Sequence, residues 1–240
     1  MEHFIEPIIA RALAYSESDL EDISKHDQEF NFLHSIVRHS RDPKVVRDQI
    51  LSVLLAGRDT TAATLSWAMY ELSNQSITWA RLRAEVLEVL GTKEKPTYET
   101  LKDLKYLKNI LNETLRLHPA VPLNVRQALV TTMIPGDPGK PDIVLLKGDT
   151  VTLDTIGMHS DRDLYPPPSE KFADPAIFSP ERWEHWTPKP WTYTPFHGGP
   201  RICVGQNFAL TEMSYLCKWQ SMTNEGNIRS SSRIGLTNML

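Results

Sequence analysis

The feature that most constrains this chain is a ten-residue stretch, residues 196–205, which reads Phe-His-Gly-Gly-Pro-Arg-Ile-Cys-Val-Gly. Its three glycines, Gly198, Gly199 and Gly205, allow the backbone to turn tightly and to lie close to a flat ligand. Cys203 comes just before an apolar segment with helical spacing, so its sulfur is expected beside a helix N-terminus, where the helix dipole favours the thiolate. A thiolate is a soft ligand suited to iron. The stretch therefore predicts a loop that presents a thiolate ligand.

The alternative is a structural cysteine buried in a glycine-rich turn, because free cysteines are most often small core residues. Arg201, two residues before Cys203, adds a fixed positive charge that suits bidentate pairing with a carboxylate. The chain has two cysteines, and nothing in their placement indicates a secreted disulfide framework, so a reducing compartment is predicted. The second cysteine, Cys217, is interpreted as a bystander.

The composition argues against several classes of protein. Of the 240 residues, 40% are hydrophobic and 23% are charged, which is typical of a soluble globular protein. The net charge is −4 and no basic tract occurs, so no nucleic-acid partner is expected. The sequence contains no run of 18 apolar residues, so no membrane-spanning helix is predicted. Charged residues interrupt the apolar residues after Met1, unlike the apolar core of a signal peptide.

A long helix is predicted to begin at Asp42 and Pro43, because aspartate is a favoured N-cap residue and proline suits the first helical position. The apolar residues that follow are so numerous that the helix should be largely buried. They are Val45, Val46, Ile50, Leu51, Val53, Leu54 and Leu55.

Small and polar residues then interrupt this helix at residues 56–61, which read Ala-Gly-Arg-Asp-Thr-Thr. Gly57 costs about 1 kcal/mol relative to alanine in a helix interior, and Asp59 costs more if it is buried without a partner. A threonine hydroxyl such as that of Thr60 can bond back to the preceding turn and bend the helix. The segment predicts a local opening that places an acid beside an alcohol; a bent helix with a Thr/Asp capping cluster is the alternative.

The remaining pattern predicts a mainly α protein with a small β-region. Helical spacing marks four further regions, namely short pieces within residues 1–41, residues 77–90, residues 98–117, and a helix after Cys203 that ends near Leu216. Residues 121–128 are expected to be extended, and residues 143–153 to form two strands around a turn. Residues 218–240 lack apolar periodicity and are predicted to be an aberrant, disordered tail.

One acid–arginine pair stands out in the predicted helices. Glu113 and Arg116 are three residues apart, so they are neighbours on one helix face. An exposed pair contributes only about 0–1 kcal/mol, and the spacing is common by chance. A second arginine, Arg182, lies within the segment Pro-Glu-Arg-Trp at residues 180–183.

Taken together, four segments resemble cytochromes P450. Residues 196–205 match the haem-binding loop F-x-x-G-x-R-x-C-x-G of that family at all five fixed positions. Residues 56–61 are similar to the A-G-x-D/E-T-T segment of its central helix, the acid–arginine pair fits its E-x-x-R, and residues 180–183 resemble its P-E-R-F/W. The resemblance implies the C-terminal half of the P450 fold, incomplete, with a partial haem domain at residues 1–217 that lacks the membrane anchor and the early helices.

The resemblance also implies a haem site, with haem b (iron-protoporphyrin IX) as the cofactor. Cys203 would be the axial ligand of the haem iron. The other cofactor-binding residues implied by the family pattern are Phe196, Gly199, Arg201, Gly205, Arg126, Ala56 and Gly57. Arg126 occupies the place of a propionate-binding arginine in many P450s, and a solvated arginine at a strand end is the alternative. His159 would have a packing or propionate role.

Catalytic and supporting roles follow from the same resemblance. Thr60 would donate a hydrogen bond to bound dioxygen, and Asp59 would help to relay protons. Glu113, Arg116 and Arg182 would form a buried ionic triad behind the haem loop, with a structural role rather than a catalytic one.

The implied activity is that of a haem-thiolate monooxygenase that hydroxylates a C–H bond of a lipophilic substrate with O2. The wording of several segments is similar to the fungal group that hydroxylates alkanes and fatty acids. Electrons would come from NADPH–cytochrome P450 reductase, because no dinucleotide-binding G-x-G-x-x-G follows a strand here. NADPH would therefore act only indirectly.

Full-length members of the family are expected on the cytosolic face of the endoplasmic reticulum membrane. Without the anchor this chain is expected to be cytoplasmic, with membrane association only if an N-terminal anchor is present. The alternative function is a truncated, non-catalytic product that binds haem weakly or not at all. The sequence specifies neither the substrate nor the position of hydroxylation.

Overall fold

The computed structural model describes residues 2–25, 31–91 and 95–223. The chain divides into two compact units, Met1–Asp59 and Thr60–Leu240. The predicted haem domain at residues 1–217 stays a prediction, and residues 224–240 of the predicted tail lie outside the described residues.

The first unit is helical. It contains α1 (Glu2–Leu13), α2 (Glu17–Lys25), α3 (Phe32–His39) and the first part of α4 (Pro43–Ser73). Helix α3 begins with a capping box, in which the Asn31 side chain accepts from the backbone of His34 and the His34 ring accepts from the backbone of Asn31. The unit has its own apolar core, formed by Ile5, Ile9, Ala12, Leu20, Ile36, Val37 and Val46.

The second unit packs five helical segments around one core. They are the second part of α4, α5 (Ser76–Leu90), α6 (Tyr98–Lys102), α7 (Lys105–Leu117) and α10 (Gln206–Thr223). Helix α5 ends at Gly91, which adopts φ 62° and donates to the carbonyl of Leu87 at 3.0 Å. Positive φ at the residue after a helix favours glycine, and the sequence predicted this helix and its end.

Helix α4 begins at Pro43, as predicted, and the carboxylate of Asp42 accepts from the backbone N–H of Lys44 at 2.8 Å. The prediction that the helix is largely buried is wrong for four of its seven apolar residues: Val45, Val53, Leu54 and Leu55 are 39–49% exposed. A helix that is apolar on all sides needs partners on all sides, and the described residues do not cover these four side chains.

The β-region consists of two antiparallel pairs. Strand β1 (Leu123–Gln127) pairs with β4 (Thr150–Asp154), and β2 (Thr132–Ile134) pairs with β3 (Ile143–Leu145). Both strands predicted within residues 143–153 exist with a turn between them, and each pairs with a strand outside that segment.

The turn between β3 and β4 explains why these two strands do not pair with each other. Gly148 adopts φ 98° and donates to the carbonyl of Ala128 at 2.8 Å, and Ala128 donates to the carbonyl of Asp149 at 2.9 Å. These bonds extend the β1–β4 ladder past the end of β1. The turn thus carries the chain from one sheet to the other instead of closing a hairpin.

Two short helices complete the second unit, α8 (Thr155–Ser160) and α9 (Arg182–His185). Helix α10 continues beyond the predicted end near Leu216 to Thr223. The described residues are mainly helical with a small β-region, which confirms the predicted fold class. No helix among them is both long enough and apolar enough to cross a membrane.

Candidate functional site

A buried cluster of one carboxylate and two guanidinium groups lies where α7 meets α9. Arg116 donates to Glu113 twice across one turn of α7, from Nε to Oε2 at 2.9 Å and from Nη2 to Oε1 at 2.8 Å. Arg182, the first residue of α9, donates from Nε to the same Oε1 at 2.8 Å. All three side chains are 0% exposed. The structure therefore brings together the three residues that the sequence proposed as a triad.

Glu113 accepts two further hydrogen bonds from the segment that carries Arg182. The backbone N–H of Ser179 donates to Oε1 and the indole Nε1 of Trp183 donates to Oε2, both at 2.9 Å. Sequence reasoning assigned no hydrogen bond to either residue. Their nearness in sequence could have indicated these hydrogen bonds, because both residues lie within three positions of Arg182.

The second positive charge of the cluster is directed at backbone carbonyl groups. Arg182 donates to the carbonyls of Ala173, Asp174 and Ile177 at 2.9–3.2 Å. Burial acts to lower the pKa of Arg116, but the hydrogen bond and charge of Glu113 outweigh it and the pKa is raised. Arg116 therefore stays charged, and the cluster depends on Glu113 for its only negative charge.

His159, near the end of α8, connects this cluster to the segment before residue 196. Its carbonyl accepts from Arg116 Nη1 at 3.5 Å, its ring Nε2 accepts from the backbone N–H of Thr194 at 3.0 Å, and its ring lies 5.1 Å from that of Tyr193. Burial, with the charge of Arg116, lowers the pKa of His159 to about 4. The side chain is fully buried, so the packing role expected from the sequence fits and the propionate role does not.

Residues 196–205, the cysteine loop, follow directly. The N–H of His197 donates to the carbonyl of Thr194 at 2.9 Å, and the N–H of Cys203 donates to the carbonyl of Phe196 at 3.0 Å. Between them, Gly199–Arg201 form a 3-10 turn. Gly199 adopts φ 67°, a conformation that side chains with a Cβ disfavour.

The Cys203 thiol is free and exposed, so the alternative of a buried structural cysteine is wrong. Helix α10 begins at Gln206, and the N–H of Ala209 donates to the carbonyl of Gly205 at 2.9 Å. Cys203 thus lies just before the N-terminal end of α10, as predicted. The apolar side chains around it are also exposed, namely Ile202, Val204 and Phe208.

An aromatic side chain lies against the loop at Gly198. A Cβ at this position would come within 2.3 Å of the Trp191 ring, so glycine is what allows the indole to approach. Trp191 itself adopts φ 69°. Other aromatic residues of this segment pack against each other, with ring centroids of Trp183 and Tyr193 4.8 Å apart.

Two arginines lie near the cysteine loop or in it. Arg126 of β1 is half-buried, and its Nη1 donates to Asn124 Oδ1 at 2.6 Å and to the carbonyl of Val125 at 2.9 Å. Asn124 in turn contacts the ring of His197, with Nδ2 and Nε2 3.1 Å apart. Arg126 is therefore connected to the loop through one side chain, whereas Arg201 lies within the loop and is exposed.

The predicted catalytic pair lies on α4. The helix is continuous through residues 56–61, so the predicted local opening is not a break in the helix. Asp59 is exposed, and its Oδ1 accepts from Arg58 Nε at 2.7 Å. This hydrogen bond from Arg58 lowers the pKa of Asp59, which keeps the carboxylate ionised. The carbonyl of Thr60 accepts from the hydroxyl of Thr64 at 2.9 Å.

Two predicted spacer residues also lie on α4. Ala56 is exposed and Gly57 is half-buried. A Cβ at Gly57 would have no described atom within 4 Å. A side chain at Gly57 would therefore not clash with the described residues.

The residues of the cysteine loop fit a haem. Within the described residues, no group of three histidine, cysteine or acidic side chains is placed to hold a metal ion. A single thiolate suits an iron that brings its other ligands with it, as haem iron does. The exposed apolar residues beside Cys203 suit the flat face of a porphyrin. Haem propionates carry negative charge, which Arg201 and Arg126 are suited to balance.

Comparison with known proteins gives a consistent result. Residues 12–219 match the family model described as Cytochrome P450. The chain is 52% identical to "Cytochrome P450 monooxygenase pvhE" of Talaromyces variabilis over 91% of its length and 41% of the relative's. It is 45% identical to "Cytochrome P450 52A12" of Debaryomyces hansenii, over 89% of this chain and 41% of that one. It is 42% identical to "Cytochrome P450 52A1" of Candida tropicalis, over 89% of this chain and 39% of that one. The chain spans about two fifths of the length of these curated relatives.

Proposed function

Since this chain belongs to the cytochrome P450 family, we propose that it supplies the thiolate side of a haem monooxygenase that hydroxylates a C–H bond. One observation carries the proposal. The exposed thiol of Cys203 lies on a glycine-rich loop whose preceding segment is tied, through His159, to the buried cluster of Glu113, Arg116 and Arg182. An exposed cysteine on a supported loop can receive a ligand that a core cysteine cannot.

Haem, when bound, supplies the oxygen activation that protein side chains cannot provide. The chain contributes the rest of the proximal site. The Cys203 thiolate would hold the iron, and the N-terminal end of α10 favours that ionised form. Gly199 and Gly205 leave room for close approach to the ring, while Phe196 holds the Cys203 amide through its carbonyl.

Charged and hydroxyl groups have separate tasks in the proposal. Arg201 and Arg126 pair with the carboxylates of the cofactor. Thr60 would supply a hydroxyl that donates to the oxygen substrate, with Ala56 and Gly57 leaving space. Asp59 is ionised beside Arg58, so its carboxylate would take up a proton from solvent and pass it toward the Thr60 hydroxyl, because the reaction consumes protons.

The substrate that we propose is a long-chain alkane or fatty acid, and the electrons would come from NADPH–cytochrome P450 reductase. The resemblance of several segments to the fungal P450 group that hydroxylates alkanes and fatty acids supports the substrate class. The exposed apolar side chains of Val53, Leu54 and Leu55 on α4 suit a lipophilic ligand. The proposed location of the full-length protein is the cytosolic face of the endoplasmic reticulum.

The experiment is haem addition to the purified chain, followed by reduction and carbon monoxide. A Soret band at the position typical of thiolate-ligated haem supports the proposal. We expect Cys203→Ala to lose this band and Cys217→Ala to keep it. Cys217 is a matched control because its thiol is fully buried and burial raises its pKa to about 12, so it offers no thiolate at neutral pH.

Two results would oppose the proposal. A band at the position of free or imidazole-bound haem would indicate the alternative, a fragment that binds haem weakly or not at all. A thiolate-type band that survives Cys203→Ala would place the ligand elsewhere. Where the band is correct, turnover of a fatty acid with added reductase distinguishes an enzyme from a haem-binding fragment.

A further inference from the structure

The ring of His159 has a protonation state that its contacts define. Its Nε2 lies 3.0 Å from the backbone nitrogen of Thr194. A backbone N–H can only donate, so Nε2 must be unprotonated and the neutral ring carries its hydrogen on Nδ1. Nδ1 is buried and has no hydrogen-bond partner among the described residues. The bond to Thr194 thus fixes Nε2 as an acceptor, while the carbonyls of Arg116 and Leu115 lie close enough to the ring to favour its protonated form.

Only a short path of backbone hydrogen bonds separates this ring from Cys203. The carbonyl of Thr194 accepts from His197 at 2.9 Å, and the carbonyl of Phe196 accepts from Cys203 at 3.0 Å. His159 therefore anchors the residue whose carbonyl makes the first of these links. On the other side, the His159 carbonyl accepts from Arg116, a member of the buried cluster.

We propose that His159 is a positioning residue for the cysteine loop, whose neutral ring holds Thr194 in place and whose protonation releases the loop. The consequence for thiolate ligation of haem rests on the proposed function. The consequence for the loop itself does not, because it concerns contacts within the chain alone.

Low pH is expected to break this contact, because protonation would place an N–H on Nε2 that points at the N–H of Thr194. The groups that face the ring are Arg116 and the carbonyl of Leu115 from α7, Tyr193 beside it, Tyr165 at its carbonyl, and His197 from the loop. Burial is the largest cause that lowers the pKa of His159 to about 4, and the charges of Arg116 and His197 add to it, against the carbonyls of Arg116 and Leu115.

The direction of the pH effect follows by linkage. In an opened loop the ring titrates near its ordinary pKa of about 6.5, so between pH 6.5 and 4 the opened state binds a proton that the closed state does not. Opening therefore becomes more favourable as the pH falls through this window, by about a hundredfold at pH 4. Above pH 6.5 both states are neutral and the effect is absent.

The test uses the whole chain without haem and measures hydrogen exchange of the Thr194, His197 and Cys203 amides. With exchange corrected for its intrinsic pH dependence, we expect protection in the wild type to fall about a hundredfold between pH 7 and pH 4. In His159→Gln the amide oxygen can accept the same bond and does not titrate, so protection should stay nearly constant. In His159→Leu we expect about tenfold faster exchange already at pH 7.

A control variant separates His159 from the other titrating ring. His197→Asn removes the imidazole of the loop while keeping a residue that tolerates positive φ. The acid transition should persist in this variant. If it disappears there and remains in His159→Gln, the proposal is overturned.

A second measurement concerns ligation. In the haem-loaded chain the thiolate-type carbon monoxide band should decline with acid in the wild type, persist to lower pH in His159→Gln, and be lost at pH 7 in His159→Leu. Equal protection and equal bands in His159→Leu and the wild type at pH 7 would overturn the proposal. If no variant gives a thiolate-type band, the proposed function fails while amide exchange still decides the role of His159. If His159→Leu does not fold, the comparison of wild type with His159→Gln decides it.

Discussion

The two sides of the cysteine loop differ sharply. Behind it, Glu113, Arg116 and Arg182 have side chains that are 0% exposed and whose charges are hydrogen-bonded. In front of it, Cys203 is exposed and its neighbour Val204 is fully exposed. The difference indicates that the described residues complete the support of the loop themselves and leave its thiol side open to a ligand.

The contrast also has an electrostatic side. Two guanidinium groups and one carboxylate, all buried, are stable only while every charge has a partner, because an unpaired buried ion costs several kcal/mol. An exposed thiol has water as its partner and carries no such requirement. The support therefore tolerates little change, whereas the open side can vary its contacts without loss of the fold.

The largest effect that we expect from this contrast is in thiol reactivity. Burial raises the pKa of Cys217 to about 12, so at pH 8 only about one Cys217 in ten thousand is a thiolate, which is the reactive form. A chromogenic disulfide reagent at pH 8 should therefore modify one thiol of the folded chain quickly and the other at least about a thousandfold more slowly.

Variants assign the fast thiol. Cys203→Ala should remove the fast reaction, Cys217→Ala should leave it unchanged, and both thiols of the wild type should react in urea. Two fast thiols in the folded chain would contradict the burial of Cys217, and none would contradict the exposure of Cys203.

The next effect is on the free energy of unfolding. Glu113→Gln leaves two buried guanidinium groups without a counter-charge, so we expect a loss of about 3–5 kcal/mol, measured by urea unfolding followed by circular dichroism. The matched control is Glu99→Gln, because Glu99 is 77% exposed and lies 3.6 Å from Lys102. The control should cost about 0–1 kcal/mol. Equal losses in the two variants would remove the distinction between a supporting and an open side.

Sequence patterns predicted the helices well where the apolar period was regular. The end of α5 at Gly91 and the start of α4 at Pro43 both followed from residue preferences that act locally. The pairing of strands could not be predicted in this way, because β1 and β4 are separated by more than twenty residues in sequence. The turn at Gly148 does not indicate which strands pair on either side of it. Pairing depends on contacts that local preferences do not encode.

The candidate site divides in the same way. The motif around Cys203 could be recognised from its residue pattern, whereas the pair of Glu113 with Arg116, whose spacing is common by chance, gained weight only from the segment at residues 180–183. The hydrogen bond from Thr194 to His159 could not, since a lone histidine 35 residues away in sequence carries no pattern that indicates its partner. Side chains that act through backbone groups leave little trace in sequence, because any residue can supply the backbone N–H.

The smallest effect concerns the backbone of the loop itself. Gly199 adopts φ 67°, and a Cβ there would meet no described atom within 4 Å, so the cost of a side chain is conformational rather than steric. We expect Gly199→Ala to lower the free energy of unfolding by about 1 kcal/mol and Gly199→Asn by less, because asparagine tolerates positive φ. Gly205→Ala is the control, since its Cβ would lie 4.0 Å from the Cys203 sulfur, an ordinary contact. Urea unfolding of the three variants tests this order. A larger loss in Gly205→Ala than in Gly199→Ala would show that the thiol side is packed more tightly than its exposure indicates, and the contrast between the two sides would weaken accordingly.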